Sequence, residues 1–145
     1  MIVTRVQQED FDIAAELGRL DALGGGAVAS FTGIVRGDDG LSALTLEHYP
    51  AMTERAMADI AAEAEARWPL LGGIAVHRVG RLEVGARIVF VATASRHRSA
   101  ALASCHFLID WLKTSAPFWK REEWDGGRAH WVEARKADDE ASARW

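Results

Sequence analysis

The run "KTSAPFWKRE" spans residues 113–122 and places two lysines around Pro117, Phe118 and Trp119, with Arg121 and Glu122 directly after. Pro117 keeps a single helix from carrying Lys113 and Lys120 on one face two turns apart, because it has no N–H to donate and its ring clashes with the preceding turn. The spacing therefore predicts that the chain turns at Pro117, anchored by Phe118 and Trp119, so that the two lysines can converge on one pocket from two sides. A lysine held near other cations, or partly desolvated, has a lowered pKa and can serve as a nucleophile or as an acid and base. Two exposed lysines around a structural Pro-Phe-Trp staple satisfy the same pattern, and the residues by themselves leave both readings open.

A second cluster of cations, "SRHRS" at 95–99, falls where an apolar strand ends and a helix begins. Such a junction offers unpaired backbone N–H groups and the positive end of the helix dipole. Arg96, His97 and Arg98 add positive side chains at the same place, which costs stability until an anion arrives. The pattern points to an anion site rather than to a solvated turn. Arg36 closes a strand at a loop rich in Gly and Asp, and alone reads as a surface arginine. His48, His77, His106 and His130 read as packed, hydrogen-bonded histidines. Cys105 lies on the apolar stripe of a helix, where a free cysteine behaves as a small hydrophobe rather than as a sulfur relay.

Other chemistries are missing their residues. There is one cysteine, and the five histidines have neither HxxxH nor HExxH spacing, so a structural zinc site is not expected. Gly24–Gly26 is not followed by Lys-Ser/Thr and makes no phosphate-binding P-loop, and no G-x-S-x-G elbow occurs. The net charge of -4 argues against a broad nucleic-acid-binding face, so any anion must be held by a local basic cluster. No apolar run is long enough to span a bilayer, and the start "MIVTRVQQEDFD" lacks the parts of a signal peptide. With no disulfide possible within the chain, a cytoplasmic setting is expected.

The elements that would position these residues form a single domain over 1–145, a length that suits one core. "IVTRV" reads as a strand, and "DFDIAAELGRL" as a helix with Asp10 as cap and Ile13, Leu17 and Leu20 on its apolar face, stopped by Gly24–Gly26. "AVASFTGIV" and "ALTLEHY" read as strands, the second with Leu44 and Leu46 on one side and Thr45 and Glu47 on the other. Pro50 opens a long helix with Met52, Ala56, Ile60 and Ala64 on one face, ended by Pro69 and the Gly72–Gly73 pair. "IAVHRVGRLE" and "ARIVFVATAS" read as two strands with Gly85 in the turn, the second apolar enough to be buried on both faces. A helix from about Ser99 carries Ala101, Cys105, Leu108 and Leu112 on one stripe. "AHWVEA" reads as a last strand and "ADDEASARW" as a last helix. The order lacks strict βαβ alternation and favours an α+β fold.

The combination of "FTGIVR", "LTLEHYPAMTE", "HRVG", "IVFVATASRHRSAA", "LKTSAPFWKRE" and "WVEARKADDEASARW" resembles the large, catalytic subunit family of molybdopterin synthase over nearly the whole chain. The resemblance implies an α/β-hammerhead fold with an additional antiparallel sheet. It implies an enzyme of molybdenum cofactor biosynthesis, a sulfurtransferase that converts cyclic pyranopterin monophosphate (precursor Z) to molybdopterin. Two sulfurs would come from the C-terminal Gly-Gly thiocarboxylate of a small ubiquitin-like carrier subunit, with no metal and no cofactor. The assembly implied is a homodimer, and a heterotetramer with two carriers. By the same resemblance Lys113 lies beside the carrier terminus and Lys120 contacts substrate, both as catalytic residues. Substrate contacts are implied for Ile34, Val35, Arg36, His97, Arg98, Arg121 and Glu122, with His97 and Arg98 on the phosphate and Arg36 reaching across the dimer interface. The loop "RGDDGLS" is shorter and more acidic than the family pattern, and Ile34 stands where a basic residue is common. A non-catalytic adaptor that docks a ubiquitin-like protein would be the competing reading, and an anion-binding regulatory domain would explain "SRHRS" but not the lysine run.

Overall fold

The computed structural model of the chain describes residues 1–132 and 136–145, without the side chains of Asp39 and of residues 136–139. Eight strands and four α-helices follow one another as β1 (Ile2–Gln7), α1 (Ile13–Asp21), β2 (Ala27–Ile34), β3 (Leu41–His48), α2 (Pro50–Arg67), β4 (Leu70–Arg78), β5 (Gly80–Glu83), β6 (Arg87–Ser95), α3 (Arg98–Thr114), β7 (Phe118–Trp124), β8 (Ala129–Trp131) and α4 (Lys136–Ala143). A short 3-10 turn, Asp38–Gly40, leads into β3. The strands form two four-stranded sheets, ordered β1-β4-β6-β2 and β5-β3-β7-β8. In the first, β1 runs parallel to β4 and the remaining pairs are antiparallel. The second is antiparallel throughout. The fold is α+β with an added antiparallel sheet, as expected.

β6 explains the core. Ile88 to Ser95 are all buried, and the pleat sends alternate side chains to opposite faces. Val89 and Val91 join the larger cluster with Met57, Ile60 and Ala64 of α2 and Ala101, Leu108 and Leu112 of α3. Phe90, Ala92 and Ala94 face the other way, with Phe11 and with Leu20 of α1. Leu46 and Leu82 bring the second sheet onto the larger cluster. The two sheets thus meet over one apolar centre, and the rim of that meeting leaves room for a site.

Several expectations shift. The cap of α1 is Asp12, whose carboxylate accepts from the Ala15 N–H at 3.0 Å, while Asp10 accepts from Phe11 N–H at 2.8 Å. The buried face of α2 is Thr53, Met57, Ile60, Ala61 and Ala64, and Met52 is exposed. Gly72 and Gly73 do not stop α2 but lie inside β4, where a Cβ on Gly73 would sit 2.8 Å from the Ala92 carbonyl. They serve close strand approach rather than helix termination. "IAVHRVGRLE" is not one strand: Gly80, with φ of 89°, lets the chain leave the first sheet as β4 and enter the second as β5. The expected last strand is found over Ala129–Trp131, and its Glu133 and Ala134 lie outside the described residues.

Candidate functional site

A cavity of about 810 Å³ opens where the C-terminal end of α3 meets the end of β2 and the inner face of the second sheet. Lys113 reaches it from the last turn of α3, where a cation is favoured by the helix dipole. Gly33 lies beside that lysine and makes room for Val89: a Cβ there would collide with Val89 Cγ1 at 2.7 Å, whereas it would meet the Lys113 Nζ at an ordinary contact distance of 3.8 Å. Lys120 reaches the same cavity from β7. After Pro117 the chain does not simply turn, as expected, but runs on as this strand, paired with β3 so that Lys120 lies opposite Leu46. Strand alternation then decides who faces in. Phe118, Lys120, Glu122 and Trp124 line the cavity, and Trp119 and Arg121 are exposed on the opposite face. The convergence of Lys113 and Lys120 from two elements is therefore real, although by a strand rather than a turn.

Ile34, Val35 and Arg36 line the cavity as well. Val35 is buried, and its N–H donates to the Ala86 carbonyl at 2.9 Å, which fixes the chain as it leaves β2. Arg36 is exposed and forms an ion pair with Asp38 at 3.4 Å. Arg36 thus lines the same cavity as the lysines of its own chain, while the expectation that it reaches across a dimer interface concerns a second chain. Among the described residues, the ionic groups on the cavity wall are Arg36, Lys113 and Lys120 against Asp38 and Glu122, a positive balance in a chain of net negative charge. Apolar side chains such as Phe31, Ile34 and Leu44 share the wall. The arrangement suits an anionic ligand with a flat or extended body.

His97 and Arg98 are elsewhere. His97 caps α3 without a side-chain cap bond, and Arg98 opens the helix. The fifteen-residue span from Arg98 to Lys113, at the α-helical rise, separates them by about 22 Å. Both are exposed. Within one chain, then, the basic helix start and the lysine cavity are two separate places, and Arg121 belongs to neither.

The residue that spacing alone did not find is His77. It lines the cavity although only 2% exposed. It is packed and hydrogen-bonded, as expected: its Nδ1 donates to the Arg78 carbonyl at 2.8 Å, and its ring stacks on Phe118 with centroids 4.0 Å apart. Burial is the main reason its pKa is lowered to about 3, with the nearby Lys113 and Lys120 charges acting in the same direction. No sequence signal distinguished this histidine from the others, because its place depends on what two other elements bring against it. Cys105 is buried, away from the cavity, and burial pushes its thiol up to about 11. That thiol stays protonated at neutral pH and is a poor sulfur nucleophile.

Comparison with known proteins adds three findings. The model of the family described as MoaE protein matches residues 6–115. A Pseudomonas aeruginosa protein named molybdopterin synthase catalytic subunit is 53% identical over 146 residues, covering 97% of each chain. Among solved structures, a molybdopterin biosynthesis MoaE protein from Burkholderia ambifaria is 52% identical with a TM-score of 0.84, covering 100% of this chain and 98% of its own. The molybdopterin synthase structure from Staphylococcus aureus is more distant, at 31% identity and a TM-score of 0.76 over 88% of this chain and 95% of that one.

Proposed function

The chain belongs to the MoaE family, the catalytic subunits of molybdopterin synthase, and from that premise we propose how its cavity transfers sulfur. A small ubiquitin-like carrier docks on the chain and threads its Gly-Gly tail toward Lys113. The Lys113 ammonium neutralises the terminal thiocarboxylate and aims its sulfur at a side-chain carbon of cyclic pyranopterin monophosphate. Lys120 stabilises charge, or moves a proton, as sulfur bonds to carbon and the cyclic phosphate opens, and water then cleaves the carrier's acyl–sulfur bond, leaving the sulfur on the pterin and a carboxylate on the carrier. Ile34 and Val35 shape the wall, and Arg36 and Glu122 hold polar groups of the substrate. The sulfur nucleophile belongs to the carrier, so the buried Cys105 is not needed.

His97 and Arg98 enter this scheme only from a second copy. In a homodimer, the basic start of α3 of one chain would complete the cavity of the other and take the substrate phosphate at the helix N-terminus. With one carrier on each chain the enzyme is a heterotetramer, working in the cytoplasm. The observation that carries the proposal is the meeting of Lys113 and Lys120, from α3 and β7, on one cavity. A docking adaptor would need no such pair.

The test is reconstitution: the chain, a thiocarboxylated carrier and precursor Z are mixed and molybdopterin is measured. Turnover by the wild-type chain, lost in Lys113→Ala and Lys120→Ala with carrier binding kept, is the expected result. Carrier binding without any product from the wild-type chain would favour the adaptor.

A further inference from the structure

Among the described residues, His77 is the one buried titratable group on the cavity to which the transfer scheme gives no part. Its geometry is fixed on two sides. The Arg78 carbonyl can only accept, so the 2.8 Å contact places the ring hydrogen on Nδ1. Stacking on Phe118, at an interplanar angle of 18°, sets the plane of the ring. A neutral imidazole with its hydrogen on Nδ1 keeps a lone pair on Nε2. A buried acceptor seeks a donor. The ionic and titratable groups around it are Lys113 from α3, Lys120 and Glu122 from β7, His48 at the end of β3, and Arg36 and Asp38 after β2. The lysines and Arg36 are permanent donors among them.

We propose that His77 is a positioning residue for the lysine pair: an uncharged acceptor whose Nε2 faces the ammonium groups of Lys113 and Lys120 and holds them protonated. The assignment rests on the sulfur-transfer reading for its purpose, but not for its test. The choice of side chain follows from charge. A carboxylate at this position would pair with the lysines and compete with an incoming anion. A cation would drive protons off them. A neutral imidazole does neither, and its burial keeps it neutral beside two positive groups. It thereby preserves the positive field that an anionic sulfur or phosphate group needs.

The experiment is an NMR titration of the Lys113 and Lys120 ammonium groups in the full chain, comparing wild type with His77→Phe and His77→Gln. Phe keeps the stack on Phe118 but offers no acceptor, and Gln restores one. The expected result is a fall of about one pH unit in at least one lysine pKa in His77→Phe, recovered in His77→Gln. Unchanged lysine titration in a folded His77→Phe chain overturns the proposal. If His77→Phe does not fold, the decision passes to the ring nitrogens of the wild-type chain. The Nε2 resonance should be that of an unprotonated nitrogen and should move in Lys113→Met or Lys120→Met. A protonated Nε2, or one unmoved in both variants, overturns the role. No turnover is read, so a wrong reaction and a wrong role for His77 fail separately.

Discussion

Lys113 and Lys120 face the same cavity, yet they are not interchangeable with arginine. A guanidinium is broader, and it will not give up a proton near neutral pH. Lys120→Arg should therefore leave the fold intact and keep turnover well below wild type, at least tenfold down in a reconstituted assay. Near-normal turnover would reduce Lys120 to a fixed charge. Cys105 gives the opposite expectation. Its Sγ packs near the Val91 carbonyl at 3.8 Å inside the larger core cluster. Cys105→Ala should keep most activity and lose about 1 kcal/mol of stability, read by urea denaturation. A folded but inactive Cys105→Ala chain would bring back the sulfur relay. His77 makes a pH prediction of definite sign. Its pKa falls from 6.5 to about 3 on folding, so between those values the unfolded chain takes up a proton that the native chain refuses. Its contribution to stability is thus lost as pH falls below 6.5, at about 1.4 kcal/mol per pH unit. The drop in urea midpoint from pH 7.5 to pH 5 should shrink in His77→Gln. An identical drop in both chains would place the acid sensitivity in other groups.

At the scale of elements, the alternation of β7 makes a sharp division between neighbours. Lys120 and Glu122 face the cavity, whereas Arg121 is exposed on the outer face opposite Thr45. Arg121→Ala should accordingly retain turnover within about twofold, since an exposed substitution away from the site changes little. A loss comparable to that of Lys120→Ala would mean that the outer face also meets substrate. This strand was not legible in the sequence: Pro117 ahead of it and the charges of "KREE" hide the alternation of Phe118, Lys120, Glu122 and Trp124. The stripe of α3 was legible, because Ala101, Cys105, Leu108 and Leu112 repeat at helical spacing and all four are buried, although Phe107 and Ile109 beside the stripe are buried as well. That of α2 was not, because its many alanines fit two phases equally well and only packing against β1 and α3 chooses Met57 over Met52. Likewise the lysine run pointed to two cations that could meet, as they do on one cavity wall, while His77, and the separation of His97 and Arg98 from the lysines, follow from how elements meet.

At the scale of the whole molecule, the basic start of α3 and the lysine cavity stand at opposite ends of one 17-residue helix. Among the described residues no helix is long and apolar enough to cross a membrane. In the proposed homodimer, a closed pair of chains related so that each helix start meets the other's cavity would use both places in one site and give two equal sites per dimer. Mixed dimers test this directly. When Arg98→Ala chains are unfolded, mixed with Lys120→Ala chains and refolded together, each mixed dimer holds one cavity with wild-type Lys120 and a wild-type Arg98 from the other chain. Half the dimers are mixed and one of their two cavities is intact, so activity should recover to about a quarter of wild type. Arg36→Ala mixed with Lys120→Ala should recover nothing, because Arg36 and Lys120 serve the same cavity from the same chain. Recovery with Arg36→Ala, and none with Arg98→Ala, would reverse the division of the site between the two chains.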